Sequence, residues 1–311
     1  MIALSTSNNQ DITPFIERIP RPARTSHKGQ NGRVLIIGGS ELFHSAVLWS
    51  AEIASHLVDM VHFASTEQNN EVMTRLKTQF RNGIVVKRTD IDAYIQEDDV
   101  VLIGPGMVRD PNHSPAATPL CASLSEVLKI ENEGIQTAAL TRYILATYPD
   151  KKYVIDAGAL QMMDPEWLLS LKQPAILTPH QGEFARTFGT HVEELDLKEK
   201  AQKAAEIAQK FNCVVLLKAV SDIVTNGTDT YIIEGGNAGL AKGGTGDILA
   251  GTVASLYAKS DAVAAAIVGS WILKQTSEAL YNTSGYWYNN SEIIAHMPRI
   301  LHGISTKSKV Q

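Results

Sequence analysis

Residues 237–251 read Asn-Ala-Gly-Leu-Ala-Lys-Gly-Gly-Thr-Gly-Asp-Ile-Leu-Ala-Gly. Gly243, Gly244 and Gly246 surround Thr245 at the start of a segment whose apolar residues predict a helix over 245–258. A helix that opens this way presents free N–H groups and the positive end of its dipole, and glycine lets an anion reach the backbone with no Cβ in between. Asp247 falls in the first turn, within reach of whatever those amides hold. A phosphate cradle beside a carboxylate suits phosphoryl transfer: the amides neutralise the migrating charge while the carboxylate accepts the attacking hydroxyl's proton. Taken alone, Gly-Thr-Gly-Asp equally fits a glycine-rich turn whose aspartate merely complements the helix dipole. The spacing is not that of an ordinary P-loop, G-x-x-x-x-G-K-[ST].

Outward from this segment, short apolar runs at 34–37, 60–64, 84–86, 100–103, 153–155, 175–177 and 214–217 alternate with helical patterns. That alternation predicts an α/β fold with a largely parallel sheet covered on both faces. Helices are expected at 45–57, 197–211 and 261–281, with a weaker one near 291–301. Asn226-Gly227, between the runs 223–225 and 231–233, signals a hairpin. Residues 1–26, with Pro14, Pro20 and Pro22, read as an N-terminal arm, residues 27–303 as one domain, and 304–311 as a frayed tail. The stretch 108–133, with Pro111, Pro115 and Pro119, reads as a lid or an insertion. Trp49, Trp167, Trp271 and Trp287 read as core residues.

Composition bounds the function. The 311 residues carry 28 Lys plus Arg against 33 Asp plus Glu, a net charge of −5, which argues against a nucleic-acid or membrane-surface binder. With 44% hydrophobic and 20% charged residues the chain can bury a sizeable core. Cys121 and Cys213 are far apart and form no C-x-x-C, so neither a disulfide scaffold nor a cysteine-based zinc site is expected, and a reducing compartment is the easier setting. The first residues lack the blocks of a signal peptide, and the longest uncharged apolar stretch, 262–273, falls short of the ~20 residues of a membrane span. A cytoplasmic protein without structural zinc is the expectation.

Several other segments can carry chemistry. Gly104-Pro105-Gly106 ends a strand at the edge where α/β sheets bind ligands, or is a simple tight turn. Asp156 stands at the carboxyl end of another strand. In Thr178-Pro179-His180-Gln181-Gly182-Glu183, His180 can bond a substrate or cap a helix, and Glu183 can reach back as a cap or help hold a metal. Lys218 ends an apolar strand, where its charge suits a nucleotide phosphate or simply snorkels to solvent.

These motifs, in this order, resemble the ribokinase-like kinases and most closely the NAD(P)H-hydrate dehydratases of that superfamily. The resemblance rests on 237–251, on Lys28-Gly29 with Gly32-Arg33-Val34-Leu35-Ile36-Ile37-Gly38-Gly39-Ser40, on Ile103-Gly104-Pro105-Gly106, Ile155-Asp156-Ala157, Leu177-Thr178-Pro179-His180-x-x-Glu183 and Leu216-Leu217-Lys218, together about residues 27–285. It implies a three-layer ribokinase-like fold and a lyase that repairs hydrated NADH and NADPH. ADP or ATP phosphorylates the added hydroxyl, and phosphate then leaves to restore the ring. Carried over by position, Ala46, Gly106, His180 and Asp247 contact the hydrated dinucleotide, while Lys218, Ala219, Val220, Ser221, Asp222 and Gly246 hold the adenine nucleotide. Asp247 is the implied base, and the amides of Gly244, Thr245 and Gly246 the anion hole. Mg²⁺ is expected on the donor phosphates, with Glu183 as a candidate ligand.

The resemblance also implies a homo-oligomer, often a tetramer, and a separate NAD(P)H-hydrate epimerase as partner, since only about 30 residues precede the first strand of the match. Four positions depart from the family pattern: Ser45 and Val108 replace glycines, Ala219 the glycine after the lysine, and Gly158 the second aspartate of Asp-Ala-Asp. They leave open a second enzymatic reading, a ribokinase-like kinase of a thiazole alcohol or a sugar. A non-catalytic nucleotide-binding protein is the third reading, against which the intact loop and Asp247 speak.

Overall fold

The computed structural model describes residues 1–307. Its ten strands are β1 (Ile2–Ser5), β2 (Arg33–Ile37), β3 (Met60–Ala64), β4 (Ile84–Val86), β5 (Val100–Ile103), β6 (Lys152–Ile155), β7 (Ile176–Leu177), β8 (Val214–Leu217), β9 (Asp222–Thr225) and β10 (Thr230–Glu234). They form one sheet in the order β1-β10-β9-β8-β7-β6-β5-β2-β3-β4. Neighbours pair in parallel except at β9, which runs antiparallel to both β8 and β10. The hairpin at Asn226-Gly227 is this β9–β10 turn.

Burial on both faces explains the continuous apolar strands. In β2, Val34 and Ile36 belong to one core and Leu35 and Ile37 to the other, the period-two alternation of a pleated strand covered twice. Helices Ser45–Leu57, Thr245–Tyr257, Ala262–Ser284 and Asn290–Lys307 pack on the first face; Glu133–Thr147 and Leu197–Lys210 are among those on the second. This is the three-layer α/β arrangement expected from the sequence.

Several expectations need correction. Residues 1–26 are more than an arm: β1 pairs with β10, and helix Asn9–Ile16 buries Ile12, Phe15 and Ile16 against the first core. The alternating apolar signal is weak there because β1 is an edge strand with Ile2 exposed. The last helix extends from Asn290 to Lys307, so residues 304–307 of the expected frayed tail are helical and 308–311 lie outside the described residues. The stretch 108–133 contains two short helical turns, Pro115–Ala117 and Leu124–Val127. Of the tryptophans only Trp271 is fully buried; Trp49 and Trp167 are half-buried, and Trp287 is 88% exposed.

The topology places the site. Strand order reverses between β2 and β5, so the crevice beyond their carboxyl ends is a topological switch point, the usual ligand position in open α/β sheets. The turns Gly38-Gly39 and Gly104-Pro105-Gly106 meet there, with the Gly39 N–H donating to the Pro105 carbonyl at 2.7 Å. A Cβ at Gly38 would stand 2.3 Å from that oxygen, and one at Gly104, where φ is +124°, would stand 1.8 Å from the Asp156 carbonyl. Only glycine permits this approach.

Candidate active site

Helix Thr245–Tyr257 starts at Gly244, whose φ of +98° turns the chain into the first turn with no side-chain cap. Trp49 and Asn290 pack against its Cα on two sides, leaving no room for a Cβ. Asn290 also donates to the Gly243 carbonyl at 2.8 Å and pins the loop. The amides of Gly244 and Gly246 have no backbone acceptor among the described residues, whereas the Thr245 amide lies 3.4 Å from the Lys242 carbonyl. The Thr245 hydroxyl donates to the carbonyls of Leu240 and Lys242, so its side chain braces the loop from within. Orphan amides at a helix start form an anion site.

Asp247 is half-buried one residue beyond Gly246. Its backbone carbonyl accepts from Ser50 Oγ at 2.8 Å, which ties this turn to the helix carrying Ala46. Burial is the main cause that raises its carboxyl from 3.8 to about 7; Asp156 and Glu183 add to the rise, and Lys218 opposes it.

Lys218, at the end of β8, joins this group. Its Nζ donates to Asp156 Oδ1 at 3.1 Å and lies 3.8 Å from Glu183 Oε2. A Cβ on Gly246 would stand 3.4 Å from the same nitrogen, so the ammonium abuts the anion loop. Burial works against its charge, yet Asp156, Glu183 and Asp247 together hold its pKa above the usual lysine range. Asp156, fully buried, also accepts from the Thr178 hydroxyl at 2.7 Å.

His180 and Glu183 form a capping box at the start of helix Gln181–Phe188. His180 Nδ1 accepts from the amides of Gly182 and Glu183 at 3.1 and 3.3 Å, while the imidazole stays 59% exposed. Glu183 Oε2 accepts from the His180 N–H at 2.8 Å and Oε1 from Gln161 Nε2 at 3.1 Å, so both oxygens are engaged.

The turn from Lys218 to Asp222 is clasped rather than loose. Asp222 accepts from the Ala219 amide at 2.8 Å and from the Ser270 hydroxyl at 2.7 Å, with Lys274 Nζ at 3.7 Å. Lys274 also donates to the Val220 carbonyl at 2.8 Å. A cavity of about 120 Å³ is lined by Lys218, Ala219, Asp222, Thr245 and Gly246. It shares Ala219, Leu240 and Lys274 with a neighbouring space of about 430 Å³ bordered by Val220, Gly236 and Asn237. Val220 is 92% exposed at this rim. Together the two make a trough that ends at Gly246, one of the two orphan amides. The expected nucleotide residues are thus brought together, except that Ser221 borders neither space and the Asp222 carboxylate faces inward.

On the other side, a Cβ on Gly106 would lie 3.0 Å from that of Ala46, so these two expected contacts adjoin at the switch point. His180 is reached through Lys218, with which it forms a β-bridge. Gly158 sits where an added Cβ would be 2.1 Å from the Met107 carbonyl: the backbone after β5 occupies the space of the aspartate side chain it replaces. Sequence reasoning missed Lys274, Ser50 and Asn290. A lysine inside the apolar pattern of helix Ala262–Ser284 was the one available signal; the other two act through the carbonyls of Asp247 and Gly243, far away in the chain.

A mostly parallel sheet with a switch-point crevice and an orphan-amide helix start is a ribokinase-like arrangement, and the solved structures share that fold. An ADP/ATP-dependent NAD(P)H-hydrate dehydratase from Bacillus subtilis, co-crystallised with ATP/Mg²⁺, superposes with a TM-score of 0.75 at 23% identity, covering 96% of this chain and 97% of that one. The family model for NAD(P)H-hydrate dehydratases matches residues 34–299, and the chain belongs to that family. It is 31% identical over 255 residues to the ADP-dependent (S)-NAD(P)H-hydrate dehydratase of Nitrosopumilus maritimus, covering 78% of each chain. It is 30% identical to the bifunctional NAD(P)H-hydrate repair enzyme of Methanocaldococcus jannaschii, where 89% of this chain matches 49% of that protein. The chain spans about half the length of the bifunctional relatives it matches.

Proposed function

We propose that this protein dehydrates hydrated NADH and NADPH at the expense of an adenine nucleotide, ADP or ATP. One observation carries the reading: Lys218 Nζ abuts Gly246, whose amide, like that of Gly244, has no backbone acceptor among the described residues, and Asp247, its carboxyl raised to about 7, follows in the same turn at the inner end of the trough. The trough takes the nucleotide, with its base toward Val220 and Asn237 and its terminal phosphate toward Gly246. The crevice at Ala46 and Gly106 takes the hydrated dinucleotide, oriented by His180. Asp247, poised near neutrality, takes the proton of the added hydroxyl as its oxygen attacks the terminal phosphorus and the bond from that phosphorus to the donor's bridging oxygen breaks, releasing AMP from ADP or ADP from ATP. The amides and Lys218 stabilise the charge that gathers on the phosphoryl oxygens. The new phosphate ester then leaves as phosphate while a ring proton is lost, restoring the double bond. Asp247 takes one proton from the hydroxyl and must shed it before the next turnover.

Both oxygens of Glu183 are engaged and Asp156 is paired with Lys218, so Mg²⁺ fits on the donor phosphates rather than in a carboxylate cage. Bound there it neutralises phosphate charge. A family-typical homo-oligomer and a separate epimerase complete this proposal. No helix among the described residues is long and apolar enough to cross a membrane, which is compatible with a cytoplasmic enzyme. The test is to incubate the protein with hydrated NADH plus ADP or ATP and follow the reduced-nicotinamide absorbance. Recovery with either donor supports the reading, and no recovery with both overturns it in favour of a small-molecule kinase.

A further inference from the structure

Helix Ala262–Ser284 buries a lysine that the reaction derived above does not use. Lys274 is only 4% exposed, in a helix whose other buried residues are apolar or small and uncharged. A charge withdrawn from water is costly and persists only where partners hold it. Asp222 lies 3.7 Å from its Nζ and is itself fixed by the Ala219 amide and the Ser270 hydroxyl. That carboxylate balances the ammonium, so Lys274 brings no net charge with which to attract a phosphate. Its other contacts show a different use: Nζ donates to the Val220 carbonyl at 2.8 Å and reaches the Gly235 carbonyl at 3.5 Å.

Those two carbonyls belong to opposite arms of one hairpin. β9 and β10 run antiparallel, and their pairing ends with Asp222 opposite Ile233. Past that pair, Ala219 and Val220 on one arm and Gly235 and Gly236 on the other line the space of about 430 Å³, so the trough is the flared end of the hairpin. Carbonyls there have no ladder partner, and a buried donor between them fixes a spacing that strand pairing leaves free. Lys274 borders both parts of the trough and ties one arm to the other. The second arm is anchored by the next turn of the same helix. Glu278 Oε1 accepts from the Gly236 amide at 2.8 Å and from the Thr6 hydroxyl at 2.7 Å, and Asn237 Nδ2 donates to the Ser277 carbonyl at 2.9 Å.

We infer that Lys274 is a positioning residue for the phosphoryl donor: by tying Val220 to Gly235 it sets the width of the slot that takes the base and ribose of the adenine nucleotide. This role rests on the nucleotide reading of the trough proposed above. Its test compares wild type with Lys274→Met and with the double variant Asp222→Asn/Lys274→Met. The double variant leaves no buried charge unpaired, and its asparagine oxygen can still accept from Ala219 and Ser270, so it keeps the fold where the single variant loses it. In each variant that folds, KM for the donor should rise about tenfold, while kcat at saturating donor and KM for hydrated NADH stay near wild type. An unchanged donor KM overturns the role. So does a fall in kcat with an equal rise in both KM values, which marks general loosening rather than a donor slot. Failure of both variants to fold assigns Lys274 to the fold instead of the donor and overturns the role as well.

If wild type restores no reduced nicotinamide with either donor, the function proposal fails, and the tie is read by calorimetry with ADP alone. Binding about tenfold weaker in the double variant supports it. Binding as tight as in wild type, or no binding of ADP by wild type, refutes it.

Discussion

Replacing Asp247 with Asn separates catalysis from stability at one atom. The substitution keeps the side-chain shape and removes the proton acceptor, so turnover should fall by ~10²-fold or more while adenine nucleotide still binds. The same change should make the protein more stable, and the sign follows from proton linkage. A carboxyl raised from 3.8 to about 7 keeps its proton in the fold at pH values where the unfolded chain has already lost it. The group therefore costs nothing below pH 3.8, its penalty grows between there and about pH 7, and it is complete above. Full ionisation at pH 8 corresponds to a ceiling of about 4 kcal/mol, and the penalty at pH 5.5 is about half of that. Partial solvent access reduces the net gain to about 1–3 kcal/mol. Urea titrations of both proteins at pH 8, 5.5 and 4 should show the Asn variant ahead by that amount, by about half, and by almost nothing. The wild-type kcat/KM should in turn drop about tenfold for each pH unit below 7. A variant no more stable at pH 8 than at pH 4 would mean that Asp247 is not held near neutrality, and the general-base argument would lose its physical ground.

Other substitutions test the remaining parts. Lys218→Met leaves Asp156 and Glu183 facing each other without their cation; we expect a loss of about 3 kcal/mol in denaturant unfolding, and nucleotide binding weaker by at least tenfold by calorimetry, at about 1.5–3 kcal/mol for a charged hydrogen bond. Gly244→Ala meets Trp49 and Asn290 at 2.2 Å with φ at +98°, so the anion loop should be displaced and the melting temperature should fall. Gly246→Ala meets only Lys218 Nζ at 3.4 Å, so it should fold normally and lose nucleotide affinity; equal melting losses for the two glycines would refute the difference in packing. Gly158→Asp, the family's usual residue, collides with the Met107 carbonyl at 2.1 Å and should destabilise by several kcal/mol, about the cost of a strongly strained core site.

The sheet was legible because its strands are buried on both faces, which forces continuous apolar runs such as 34–37 and 214–217. β1 escaped because an edge strand of four residues with one end exposed carries no such run. The long final helix was read short because Pro298 interrupts its pattern, although the helix continues past it to Lys307. Trp287 was misplaced for a similar reason: aromatic size predicts burial on average, but this residue follows Gly285, φ +58°, in the connection between two helices.

The site divides along the same physical line. The phosphoryl half draws on residues close together in sequence, 218–222 and 237–247, where a turn and a helix start impose their own local chemistry. Glycines, an aspartate and a strand-end lysine then have recognisable spacing. The residues proposed for the dinucleotide come from the ends of different strands: Ala46 after β2, Gly106 after β5 and His180 after β7. No local pattern links them, since Gly106 and Ala46 adjoin only once the connections after β2 and β5 have packed. Gly158 shows how one such position constrains another. By admitting the Met107 carbonyl it fixes the course of the chain from Met107 into Val108. Of the departures from the family pattern, Ser45, Val108 and Gly158 lie in the connections after β2, β5 and β6, on the proposed dinucleotide side, and Ala219 borders the proposed nucleotide trough, while Gly243-Gly244-Thr245-Gly246-Asp247 keeps its sequence. Three departures on the proposed dinucleotide side beside an intact glycine loop predict an altered preference between the two dinucleotides rather than lost phosphoryl transfer, so kcat/KM for hydrated NADH and for hydrated NADPH should be compared directly in the wild-type protein, and equal values would refute that expectation.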